Sequence, residues 1–136
     1  MQDLVVTKQS CMTFVSEILE LIHNPYYTFY KLRINGKCQF DEFLEKVNSV
    51  AIDKKTMYSL IALMDSFGMH KLPKTKFRQI NVSPPRTDVF EFKKNNLRIY
   101  VILQKPDVYV VMGGYKNTQK QDVAVLGKRL KGFNKK

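Results

Sequence analysis

Apolar positions along this chain recur with two different periods, and the switches between them outline the elements. Residues 8–23 (KQSCMTFVSEILELIH) carry Cys11, Phe14, Val15, Ile18, Leu21 and Ile22 at spacings of three and four, the stripe of an amphipathic helix. Asn24-Pro25 ends it, because proline disfavours helical geometry in the residue before it. Tyr26 to Ile34 (YYTFYKLRI) is aromatic and rich in strand formers, and Asn35-Gly36 supplies a turn. Its aromatics serve either the sheet core, the commoner use, or base stacking.

Phe40 to Val50 returns to helical spacing through Phe40, Phe43, Leu44 and Val47, with Asp41, Glu42 and Glu45 where the helix dipole favours negative charge. A second helix spans Lys54 to Phe67, with Asp53 as N-cap, Gly68 as C-cap, and Met57, Leu60, Ile61, Met64 and Phe67 on its apolar side. Two helices joined by so short a loop form an antiparallel hairpin against a sheet. In the stretch from His70 to Ile80, Lys74, Lys76 and Arg78 alternate, so on a strand all three project from one face. That face either follows a phosphate backbone or guards an exposed edge against aggregation.

The pattern is strongest from Thr87 to Phe133. Val89, Phe90 and Phe92 begin a strand, Asn95-Asn96 turns the chain, and Leu97 to Leu103 (LRIYVIL) returns it. After Lys105-Pro106-Asp107, Val108 to Met112 is nearly unbroken apolar sequence, the mark of a central strand buried on both faces. Gly113-Gly114 is read as the end of that strand, and a helix closes the chain. These elements predict one α+β domain over residues 1–136. Its expected architecture is a twisted antiparallel sheet of four to five strands, a helical hairpin on one face, a C-terminal helix and an extra N-terminal helix, with residues 1–25 as a helical extension and 26–136 as the body.

Charge changes the picture. The net charge is +11, and it is unevenly placed. Residues 1–68 hold 7 Lys/Arg against 8 Asp/Glu, while residues 69–136 hold 16 against 4. A field that one-sided favours a phosphate-rich partner or an acidic protein, and it predicts salt-sensitive binding. Cys11, Cys38, His23 and His70 are too scattered for a disulfide framework or a zinc site, so neither metal nor cofactor is expected. The acidic start MQDLVV lacks a secretory n-region and no apolar run reaches membrane-span length, which predicts a cytoplasmic protein without membrane contact.

No hydrolase, P-loop, HExxH or dinucleotide motif occurs. The residues present suit a cofactor-free reaction, the cleavage of RNA by its own 2′-hydroxyl. That reaction needs a base, cations on the phosphorane and a proton source for the 5′-oxygen. Arg98 lies one hairpin away from Glu91, across the Asn95-Asn96 turn, and is expected on the same polar side, where the two serve as a structural salt bridge or in catalysis. Arg98, Lys116 and Lys120 can supply charge. Tyr115 either stacks on a base or caps the core. Lys74, Lys76, Arg78, Arg86, Lys93, Lys128 and Arg129 are candidate RNA-binding residues.

Phe90-Glu91-Phe92-Lys93, then Arg98-Ile99-Tyr100, then Gly114-Tyr115-Lys116 with Thr118-Gln119-Lys120 follow one another in an order that resembles toxins of the RelE/HigB group within the RelE/ParE superfamily. Lys31 to Gly36 ahead of two helices extends the resemblance to roughly residues 27–133. It implies the toxin of a type II toxin-antitoxin system, a ribosome-dependent mRNA endonuclease (mRNA interferase) acting on mRNA on the ribosome and silenced by a cognate antitoxin. Catalysis would centre on Arg98, Tyr115, Lys116, Lys120 and Glu91. The alternatives are a gyrase-inhibiting toxin and a non-catalytic basic module that binds nucleic acid or a partner protein. A homodimer through the N-terminal helix is a further expected arrangement.

Overall fold

A computed structural model describes residues 12–134 of the chain. Its elements in order are β1 (Phe14–Ile18), β2 (Thr28–Ile34), α1 (Gln39–Asn48), α2 (Ala51–Asp65), β3 (Phe77–Gln79), β4 (Val89–Lys94), β5 (Leu97–Gln104), β6 (Asp107–Tyr115), a 3₁₀ turn (Lys116–Thr118) and α3 (Gln119–Arg129). The α+β class expected from the sequence is present. The sheet, however, has six strands and is mixed, in the order β1-β2-β6-β5-β4-β3.

The meander β3 to β6 pairs antiparallel throughout, with Asn95 at φ 51° turning β4 into β5. The last strand then inserts beside β2 and runs parallel to it, matching Thr28 with Asp107 and Lys31 with Val110. An all-antiparallel sheet of four to five strands is therefore corrected. The long excursion from β2 through the helical hairpin lets β6 lie parallel to it, which a two-residue turn cannot do.

The expected N-terminal helix is also corrected. Of residues 8–23, positions 8–11 lie outside the described residues, and Phe14–Ile18 is a strand paired antiparallel with β2, Phe14 opposite Ile34 and Ile18 opposite Tyr30. Residues four apart share a face in a strand as well as in a helix, so Phe14 and Ile18 fit both periods. The free edge of β2 decides for the strand. The homodimer expected through an N-terminal helix loses the element that was to carry it.

Both helices of the hairpin form, α2 starting at Ala51 with Val50 rather than Asp53 at the N-cap. Asp53 sits in the first turn instead, where the dipole still favours it. The helix stops at Asp65, short of the expected Phe67, with Ser66 rather than Gly68 as its C-cap, and Gly68, at φ +100°, turns the chain two residues later. Phe40, Phe43, Val47, Met57, Leu60 and Met64 bury against Phe92, Ile99 and Val110 on one sheet face. Leu126, Leu130 and Phe133, from α3 and the residues after it, bury against Tyr100, Ile102 and Tyr109 on the other. Each such side chain contributes roughly 1.5–3 kcal/mol relative to exposure.

Gly113-Gly114 does not end β6, which runs on to Tyr115. A Cβ at Gly113 would strike the Phe43 ring, and one at Gly114 would strike the Asp122 carboxylate. The glycines thus let α1 and the start of α3 approach a continuous strand. Among the described residues no helix is long and apolar enough to cross a membrane.

Candidate functional site

Strand alternation gathers a polar cluster on the sheet face that α3 covers. Glu91 and Lys93 are two apart on β4, and Arg98 and Tyr100 two apart on β5, so each pair shares a face. Register then aligns them: Arg78 lies opposite Glu91, Glu91 opposite Tyr100, and Lys93 opposite Arg98.

Glu91 lies at the base, fully enclosed. Its Oε2 accepts from Arg78 Nε, and its Oε1 accepts from Gln119 Nε2 at 2.6 Å. Arg98 Nε stands 4.0 Å from Oε1, within ion-pair range but without a hydrogen bond. Arg98 is buried, and its Nη1 donates to the carbonyls of Asn95 and Leu97, each at 2.9 Å. Among the described residues, Arg98 Nε and the Tyr100 hydroxyl are buried polar groups with no hydrogen-bond partner. Such unpaired groups are uncommon in folded interiors.

Cations outnumber carboxylates around the cluster. Burial makes the Tyr100 hydroxyl much harder to ionise, reinforced by the charges of Glu91 and Asp122, so it remains a donor. Burial also lowers the proton affinity of Lys93, and the neighbouring Arg78, Arg98 and Lys116 lower it further against the opposing pull of Glu91. Arg78 and Arg98 thus stand against the Glu91 carboxylate, with Lys93 close enough to feel the charges of both and that of Lys116. Asp122 takes no part in pairing them; it accepts from the Thr118 hydroxyl at 2.8 Å.

The structure brings together Glu91, Arg98, Arg78 and Lys93, with Lys116 and Lys120 exposed at the rim. It separates Tyr115 from them. Gly114 faces Tyr100 and Asp122, so the next residue of the strand points through to the hairpin side. There the Tyr115 ring packs edge-on to Phe43 at 5.4 Å, with Lys46 Nζ 5.4 Å from its centre. Burial, then the charge of Asp53, makes its hydroxyl harder to ionise.

Among the RNA-binding candidates, Lys74 and Lys76 are exposed in the turn ahead of β3; only Arg78 of the three lies on the strand, so the expected alternating stripe does not form. Arg86 is spent elsewhere. It pairs with Asp88 through Nε at 2.9 Å and Nη2 at 3.0 Å, while Nη1 donates to the carbonyls of Leu130 and Phe133 beyond α3. Lys128 is exposed and Arg129 half-buried near the other end of α3, some 13–15 Å along the axis from Gln119. Gln119 and Tyr100 were not singled out from the sequence as site residues. Tyr100 was within reach, since it shares the parity of Arg98; Gln119 depended on where α3 docks.

Among the described residues, no three His, Cys, Asp or Glu side chains come together as metal ligands. Comparison with protein-family models, with curated proteins and with solved structures finds nothing that matches this chain.

Proposed function

We propose that this chain is an RNA-cleaving toxin of the RelE/HigB kind, the toxin of a type II toxin-antitoxin pair, cutting mRNA on the ribosome by attack of the RNA's own 2′-hydroxyl. The observation that supports this reading is the gathering of cations on one face, Arg78, Lys93 and Lys116 about the buried Arg98, with Lys120 beside Arg78 at the rim. Attack by the 2′-oxygen builds negative charge on the phosphorane. Donors fixed in a poorly solvated site stabilise that charge more than water does, and need no reorganisation as it develops. Lys93 holds its proton less tightly than an ordinary lysine, which suits donation to the departing 5′-oxygen. Glu91 is enclosed by its own partners, so its role is to hold Arg78 and Gln119 in place rather than to touch RNA. Lys116 and Lys120 flank the path of the strand, and Lys74 and Lys76 hold it at the periphery.

Controlled expression in bacteria with 5′-end mapping of transcripts tests this. Cuts within translated frames are expected, and they should vanish when translation initiation is blocked. A folded Arg98→Ala variant that cuts undiminished overturns the assignment.

A second reading is favoured by the enclosure of Arg98, whose Nη1 is tied to two backbone carbonyls. An arginine spent in that way suits a scaffold that binds RNA or a partner protein without cutting it. Salt-dependent RNA binding with intact transcripts would support that reading and defeat the first.

A further inference from the structure

A groove of 410 Å³ runs between the edge strand β3 and helix α3, lined by Arg78, Asn81, Gln119, Lys120 and Val123 among others. Two of its wall residues, Arg78 and Gln119, are also the donors that hold the Glu91 carboxylate. Arg78 spends only Nε on that bond. Among the described residues its two Nη nitrogens make no hydrogen bond, and its side chain is 44% exposed. The guanidinium is therefore anchored along one edge by an enclosed carboxylate and free along the other. Lys120 adds a second exposed cation, and among the described residues no carboxylate lines the groove.

We infer that this groove is a phosphodiester subsite, receiving the backbone of a nucleic-acid strand next to the nucleotide held over Arg98. The inference rests on the RNA reading above and names a contact beyond it. The free Nη edge of Arg78 meets two oxygens of one phosphate in the forked geometry that arginine offers and lysine does not. Lys120 neutralises charge across the groove. Glu91 acts as a positioning residue: by holding Nε it orders the guanidinium before the ligand arrives, so less side-chain freedom is lost on binding. A polymer of regularly spaced charge is favoured over an isolated acidic side chain. Beyond Arg78 and Lys120 in the groove, further cations follow in Lys93 on β4 and Lys116 in the 3₁₀ turn, and the charges of Arg78 and Lys116 are both felt at Lys93.

The test is titration with a single-stranded DNA hexamer, which has no 2′-hydroxyl and cannot be cut by the proposed chemistry, following arginine side-chain N–H resonances and the dissociation constant. The Arg78 resonance is expected to shift. Arg78→Lys, which keeps the charge and loses the fork, should weaken binding about tenfold. Lys120→Ala should weaken it by roughly three- to tenfold, while Lys55→Ala on exposed α2 should change it by less than about twofold. Glu91→Gln should weaken it several-fold with Arg78 still present; if that variant fails to fold, the other two decide. Arg78→Lys and Lys120→Ala binding as tightly as the unaltered protein overturns the inference. So does an oligoglutamate peptide that shifts the same resonances at lower concentration, which would assign the groove to an acidic protein segment. Binding through the groove with no cutting of RNA keeps this subsite and defeats the cleavage reading. Cutting with unaltered binding in the variants defeats the subsite alone.

Discussion

The Gln39 carboxamide pairs with the backbone of Gly113 in both directions: Gly113 N donates to Oε1 at 2.8 Å, and Nε2 donates to the Gly113 carbonyl at 3.1 Å. One side chain at the start of α1 thus does what a neighbouring strand would do. β2 accompanies β6 only as far as Val110, leaving the last residues of β6 with an open edge beneath α1. Backbone groups in such a place need partners. Gln39→Ala should cost about 1–3 kcal/mol, read as a lower denaturant midpoint with faster hydrogen exchange at the Gly113 amide. An unchanged exchange rate there would remove Gln39 from this role.

The same edge makes Gly113 a packing position. A side chain there meets the Phe43 ring, so Gly113→Ala should destabilise by about 1–3 kcal/mol through overpacking. Phe43→Leu in the same chain should restore part of the loss, and thermal unfolding of the single and double variants measures it. A loss that Phe43→Leu leaves untouched would place the strain elsewhere.

Acid should loosen the attachment of the residues following α3. Burial raises the pKa of Asp88, but hydrogen bonds from Arg86 and Gln104 and the charge of Arg86 outweigh it, leaving the carboxyl below its ordinary 3.8. A depressed folded value means that the contribution is fully present above the unfolded pKa and drains away as pH falls through the folded one. Arg86 also holds the Leu130 and Phe133 carbonyls, so protonating Asp88 weakens a clamp and not merely a pair. Asp88→Asn should lower stability at neutral pH and flatten its decline in acid. Urea unfolding from pH 7 to pH 3 reads both.

Tyr115 and Arg98 lie on opposite sheet faces, and that placement separates their effects. Arg98→Ala should reduce RNA cutting by about a hundredfold or more if its buried guanidinium stabilises the phosphorane. Tyr115→Phe, which keeps the ring against Phe43, should change cutting by less than about threefold. Cleavage rates on ribosome-bound message compare them directly. A large loss in Tyr115→Phe would argue that RNA crosses the hairpin side.

Nucleic-acid binding should weaken steeply with salt. If Arg78, Lys93, Lys116 and Lys120 each neutralise a phosphate, the log–log slope of affinity against salt for a single strand is about −3. Removing Lys120 should reduce that slope by roughly one contact's share. A slope near zero would exclude the backbone as the main partner.

Much of this protein was legible in the sequence because it depends on neighbours along the chain. Helical spacing in Phe40–Val47 and Met57–Met64, the Asn95 turn and the apolar run of Val108–Met112 each sit in an element of the expected kind, while Phe67 lies past the end of its helix. The shared face of Glu91 and Arg98 follows from parity about a tight turn, which needs no knowledge of the rest of the fold.

Tertiary structure alone decided the remainder. Phe14 and Ile18 satisfy both helix and strand periods, and only the unpaired edge of β2 chooses between them. Gly113-Gly114 reads locally as a break. It is a continuous strand because Phe43 and Asp122 occupy the space that side chains would fill, and that continuity sends Tyr115 to the far face. Arg86 carries the same charge as Arg78, yet one is consumed by Asp88 and two carbonyls while the other keeps its fork free in a groove. Composition sets how much charge a chain carries. Which cations remain unspent depends on partners distant in sequence, and these meet only when the sheet and α3 close over one another.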